Sequence, residues 1–180
     1  MRWIGTIALL ALAAAAPVHG QVLWLGAADG TSWEYQAQTA PGQDFSHNNQ
    51  QAASVFVAFP IESDTLIRLG AANVPHNVLI DGHAWGGHLR AYTIGADYLI
   101  RSVYGQSVLS AGLGSYGQEL QARNPPPGFN DTKVGWYLGV GEWFNVLPRM
   151  RVTAEIKAHR THHQGTTTVF VASAGLAVWF

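Results

Sequence analysis

Residues 150–161 hold the chain's most ordered set of reactive side chains. Arg151, Thr153, Glu155, Lys157 and His159 alternate with Val152, Ala154, Ile156 and Ala158. On an extended strand, period two sends these sets to opposite faces. Two cations, a carboxylate and an imidazole then share one side, a set suited to ion pairing or to proton transfer. A second group is the histidines His47, His76, His83, His88, His159, His162 and His163. Imidazoles on neighbouring loops can bind a soft divalent cation. Strand spacing, however, separates His159 and His163 from His162, so a preformed three-ligand site is not evident and no metal is expected. Third, Gly112-Leu113-Gly114-Ser115-Tyr116-Gly117 has the spacing of a dinucleotide fingerprint. That motif needs a strand followed by a helix whose N-terminus receives the pyrophosphate. Here a strand pattern simply continues. Small residues lining a crowded interior explain the glycines better, and no cofactor is expected. Asn130-Asp131-Thr132 is formally a glycosylation sequon and reads as chance.

The elements that must position these residues follow from composition. Hydrophobic residues make up 48% of the 180 and charged residues 12%, about half the ~25% charged content of ordinary domains. Residues 1–3 carry one positive charge, 4–16 are apolar, and Pro17 precedes the small residue Gly20. This is the layout of a secretory signal over 1–20, leaving a mature domain over 21–180. No later segment is apolar for eighteen residues, so helices are not the spanning elements. A closed barrel is the other structure that satisfies its whole backbone inside lipid. There is no cysteine, which removes disulfides, thiolate metal sites, cysteine nucleophiles and lipidated-cysteine anchoring. A net charge of -1 without a basic run argues against a nucleic-acid partner.

Period-two segments separated by turn residues predict eight strands, near 22–36, 52–60, 65–74, 88–101, 106–120, 133–145, 150–161 and 166–180. A bulge is expected near Gly30. Tight turns at 62–64, 102–105 and 146–149 alternate with longer loops at 38–50, 75–86 and 122–132, the habit of bacterial barrels. No proline outside the leader is expected in mid-ladder. In lipid the polarity of a soluble fold is reversed, so Val152 and Ile156 face out and the charges face the lumen. The same inversion puts Leu109, Ala111 and Leu113 outside with Ser110, Gly112, Gly114 and Tyr116 inside. Over 88–101 it favours Tyr92, Ile94 and Tyr98 outside with Thr93 and Asp97 inside, and the opposite register fits nearly as well. On the last strand Phe170, Ala172, Ala174, Leu176, Val178 and Phe180 form the outer face. Phe170 and Phe180 are then about 25 Å apart along the membrane normal.

The run Gly139-Val140-Gly141-Glu142-Trp143, the Pro148 turn and Arg151-Val152-Thr153-Ala154-Glu155 resemble small eight-stranded outer-membrane barrels of the OmpA/OmpX type. The terminal Phe180, with Val178 two positions before it, resembles the signal such proteins present to the outer-membrane assembly machinery. The chain ends at the barrel, without a peptidoglycan-binding domain, and its last residues are Val178-Trp179-Phe180 rather than aromatic-basic-Phe. The resemblance implies an all-β, antiparallel up-and-down barrel in the bacterial outer membrane. Its implied role is non-enzymatic: an envelope anchor with exposed loops and a side-chain-filled lumen. Arg68, Asp97, Glu142, Arg151, Glu155, Lys157 and His159 are the candidate lumen charge network, since buried charges survive only when paired. Partners are then outer-membrane lipids and lipopolysaccharide, the assembly machinery and an extracellular ligand of unknown kind.

Three other functions share the barrel. Lipid A deacylases and palmitoyltransferases are barrels of this size, and the deacylases place a His beside a Ser on the lipid face. Here His159-Arg160-Thr161 substitutes Thr on an inward face, and Ser46-His47-Asn48 reverses the order, so neither matches. A narrow low-conductance pore would open through the lumen charges. A secreted lipocalin-like barrel would need an apolar lumen, against the charged face of 150–161.

Overall fold

The computed structural model describes residues 23–36, 45–80, 83–120, 131–162 and 167–180. The expected leader lies outside them. Eight strands follow in order: β1 (Trp24–Gln36), β2 (Phe45–Pro60), β3 (Thr65–Ile80), β4 (His83–Arg101), β5 (Gly105–Leu120), β6 (Thr132–Leu147), β7 (Met150–Thr161) and β8 (Thr167–Trp179). Each pairs antiparallel with its sequence neighbour, and β1 pairs with β8 from Trp24↔Trp179 to Gln36↔Thr167, closing an eight-stranded barrel. One further backbone pair, Leu23 N–H to Phe180 C=O at 3.0 Å and Phe180 N–H to Leu23 C=O at 2.9 Å, finishes that seam. Closure leaves no sheet edge in the barrel wall, which is the condition for a β-protein in lipid.

The alternation dictates the faces. Tyr92, Ile94 and Tyr98 on β4, Leu109 and Leu113 on β5, Leu138 and Val140 on β6 and Ile156 on β7 are exposed, while Asp97, Ser110, Tyr116, Tyr137, Trp143, Thr153 and Glu155 are buried. The outside of this molecule is its apolar side. Aromatics mark two levels on that surface: Phe59, Tyr98 and Phe144 toward the end with tight turns, and Tyr92 and Trp136 toward the other. Trp136 and Phe144 are eight residues apart on β6, roughly 20 Å along the barrel axis at a tilt near 40°. Between the levels, the charged side chains on the outward face of the described residues include Asp29, set between Ala53 and Ala174, and Glu142, set between Ser107 and Ala154.

The pairing register between β1 and β2 shifts between Gly30 and Ser32, the expected bulge. Three strand bounds differ from the sequence reading by five residues or more. β2 begins at Phe45, β3 runs to Ile80 and β4 begins at His83, so the long loop expected at 75–86 is a hairpin paired to Ile80↔His83. Ser46 to Gln51 is polar at every position and shows no alternation to read. Pro75 also departs from expectation, since it sits inside β3 opposite His88. Pairing of β3 with β2 stops at Asn73, and Pro75 C=O accepts a 2.9 Å hydrogen bond from Ser32 Oγ. N and C=O of one strand residue point the same way, so the proline nitrogen faces the edge without a β2 ladder and costs no sheet hydrogen bond.

Candidate functional site: the lumen

The inward faces of the eight strands fill the lumen in layers. At the tight-turn end Trp24, Phe56, Leu66, Leu99, Val108 and Trp143 form an apolar plug. The Trp24 and Trp143 rings meet edge-on at 5.6 Å and Phe56 stacks on Trp143 at 5.8 Å.

Above the plug sits a charge cluster. Arg68 gives Glu155 two hydrogen bonds, Nη1 to Oε2 at 3.0 Å and Nη2 to Oε1 at 2.8 Å. Its Nε stands 2.9 Å from Asp97 Oδ2. Trp143 Nε1 donates to Glu155 Oε1 at 2.8 Å, and Lys157 Nζ lies 2.5 Å from Oε2. Glu155 therefore has a donor for each of its four lone-pair positions. The Arg68 guanidinium also lies 3.9 Å over the Phe56 ring, which joins the charge layer to the plug. Two cations meet two carboxylates, so the cluster is neutral at pH 7, the arrangement that makes burial of charge tolerable. A chamber of about 40 Å³ beside it, reached by Lys157, His159, Ser54 and Ser173, is of a size for water.

The next layer is aromatic and polar. Tyr116 Oη and His159 Nδ1 are 3.1 Å apart, and Tyr137 lies against the same imidazole with ring centroids at 5.8 Å. Val74, Leu89, Ala91 and Val169 pack on Tyr116 toward the long-hairpin end. A last buried pair, His76 Nδ1 and Glu34 Oε2 at 2.6 Å, ties β3 to β1.

The sequence-predicted residues thus divide. Arg68, Asp97, Glu155 and Lys157 converge in one cluster, and His159 lies one layer beyond. Arg151 faces inward but at the rim, bonded to Gln106 and 4.4 Å over the Trp24 ring. Glu142 is not in the lumen, a correction to the expected network. Trp143 takes the inward position on β6, so Glu142 shares the outer face with Val140 and Phe144. There its register partners are Ser107 and Ala154, and its carboxylate accepts from Ser102 and, at 2.6 Å, from Ser107. Val178 and Phe180 lie at the closing seam. Among the described residues no three metal-ligating side chains converge; His163 lies outside them, and only the backbone is described for His47 and His83.

Sequence reasoning missed the Glu34–His76 pair and the aromatic part of the lumen. The glycines were the available signal for the latter. A Cβ at Gly112 would stand 2.5 Å from Tyr137 Cε1, and one at Gly114 2.9 Å from Tyr116 Cε2. The first two glycines of the fingerprint-like spacing on β5 thus leave room for two tyrosine rings and, at Gly112, for the Ile94 carbonyl of the neighbouring strand.

Layered lumen, apolar exterior and closed antiparallel topology define the fold of the small eight-stranded outer-membrane barrels. Among solved structures, the chain is similar to Neisserial surface protein A (13% identity, TM-score 0.71, covering 88% of this chain and 97% of that one). It is also similar to OprG of Pseudomonas aeruginosa (12%, 0.58, 89% and 96%) and to Ail, the attachment invasion locus protein of Yersinia pestis, in complex with a heparin analogue (12%, 0.57, 89% and 99%). No family model and no curated protein matches the sequence.

Proposed function

We propose that this chain is an outer-membrane barrel of a Gram-negative bacterium, exported by a signal peptide at residues 1–20 and anchored by the barrel over 21–180. In this reading it is non-enzymatic. The tight turns face the periplasm, and the barrel holds its longer hairpins at the cell surface for contact with lipopolysaccharide or an external ligand. The observation that carries the proposal is the inverted polarity: exposed leucine, isoleucine and tyrosine outside, and a saturated carboxylate within. A lumen closed by the Trp24–Phe56–Trp143 layer favours an anchor over a conducting pore. Among the described residues, the inward His159 meets a phenol rather than the serine hydroxyl that a deacylase sets beside its histidine.

The test is heat modifiability of residues 21–180 refolded in detergent micelles, together with fractionation of cells expressing the full chain. A band that shifts on boiling, and recovery in the outer-membrane fraction, are expected. A chain that is soluble without detergent and does not shift would overturn the proposal.

A further inference from the structure

The outward face carries an apolar groove of about 620 Å³ that runs obliquely across β4 to β8. Its floor is a row of register partners, Ala96, Ala111, Leu138, Ala158 and Phe170, in which three alanines lie between bulkier neighbours. Leu109, Val140 and Ile156 form the lower wall. Strand tilt makes such a row climb around a barrel. Here it rises from Ala96, near the tight-turn end of β4, to Phe170, near the long-hairpin end of β8.

A cation stands two residues beyond the upper end of the groove. Trp136, Arg160 and Thr168 are register partners two residues above Leu138, Ala158 and Phe170 on the same outward face. Arg160 is exposed, with its guanidinium 6.0 Å from the centroid of the Trp136 ring. Two other cations of that end among the described residues are matched: Arg90 lies 2.6 Å from Glu119 and Lys133 3.0 Å from Asp131. Among the described residues, no carboxylate is paired with Arg160. An arginine in an aromatic belt sits at headgroup level, and guanidinium is the side chain best matched to phosphate oxygens.

From this juxtaposition we propose that the β4–β8 face is a binding site for a phosphorylated, multiply acylated glycolipid of the outer leaflet. Arg160 pairs with a headgroup phosphate, Trp136 packs beside it, and one acyl chain lies in the groove over Ala158 and Ala111. The proposal rests on the outer-membrane reading above and names its lipid partner and the side chains that hold it. Simple apolar solvation by lipid would need no cation at the groove's mouth. A headgroup contact alone would need no trough of alanines beneath it.

The test uses the mature chain refolded into phosphatidylcholine nanodiscs doped with diphosphoryl lipid A, and native mass spectrometry of the lipid retained after detergent release. Wild-type protein is expected to retain diphosphoryl lipid A about tenfold over its dephosphorylated form, a gap of the size one charged contact gives. Arg160→Gln should erase that preference. Ala158→Phe and Ala111→Phe, which fill the groove from two strands, should lower retention of both forms, and Arg90→Gln should leave it unchanged. Retention unaffected by Arg160→Gln, or by both groove fillings, would overturn the site, as would capture of soluble pyrophosphate with equal affinity. Heat modifiability of each variant separates the two proposals, because failure of the lipid site leaves the band shift intact.

Discussion

A carboxylate that accepts from Arg68 twice, from Trp143 and from Lys157 has every lone pair committed, and its charge balances a guanidinium that water cannot reach. Glu155→Gln keeps the shape but removes the charge and turns one acceptor into a donor facing cations. Breaking a buried pair on one side costs about 3–5 kcal/mol, so the variant should refold but lose its heat-shifted band at clearly lower urea than wild type. A loss below about 1 kcal/mol would mean the cluster is hydrated rather than buried. Asp29 poses the opposite case. It lies on the outward face of β1, midway between Leu25 and Trp33, with alanine on both neighbouring strands. If the barrel spans a membrane as proposed, a carboxylate near mid-depth on that face is destabilising, though less so than the ~2–4 kcal/mol of a cation there. Asp29→Leu is therefore expected to raise the urea midpoint, by an amount corresponding to about 1–2 kcal/mol. A fall in the midpoint would show that Asp29 makes a stabilising contact within the barrel itself.

At the scale of the element, β5 shows how a strand can be specified by what it lacks. Gly112 and Gly114 leave space for Tyr137 and Tyr116, whereas a Cβ at Gly117 would meet nothing closer than 3.6 Å. Gly112→Val should abolish the band shift because it must displace a ring packed in the lumen, and Gly117→Ala should refold as wild type. Equal folding of both variants would remove the claim that glycine here is space. The sequence disclosed this architecture wherever one face of a strand lay on the apolar exterior and the other filled the lumen, because only there does period two appear. β7 was legible residue by residue for that reason, from Val152 outside to Glu155 inside. The upper arms of β2, β3 and β4 were not, since Ser46 to Gln51 is polar at every position and Val78 to Ile80 apolar at every position, so neither run carries a period of two. Glu142 was misplaced by a different failure. Its charge suggested the lumen, but parity on β6 is set by Trp143, whose bulk packs against Trp24 and Phe56 and whose indole nitrogen serves Glu155. The partner choices within the cluster, Arg68 with both Glu155 and Asp97, depend on register across strands far apart in sequence.

For the whole molecule, the decisive event is closure of β1 on β8, and the last residue takes part in it. Phe180 exchanges two backbone hydrogen bonds with Leu23, one step beyond the Trp24↔Trp179 pair. Those bonds belong to the main chain, so replacing the side chain leaves them available. An aromatic ring there adds little to a ladder that already runs thirteen pairs along β8. If the terminal Phe serves instead as a tag for assembly, its effect belongs to cells and not to the refolded barrel. Phe180→Ala should then refold in detergent with an unchanged band shift and urea midpoint, while its recovery in the outer-membrane fraction drops severalfold and unfolded chain accumulates or is degraded in the periplasm. Val178→Ala, on the same outward face, should produce a smaller drop of the same kind. Failure of Phe180→Ala to refold in vitro would assign the ring to barrel closure itself. Normal recovery in cells would show that delivery of this chain is read from somewhere other than its end.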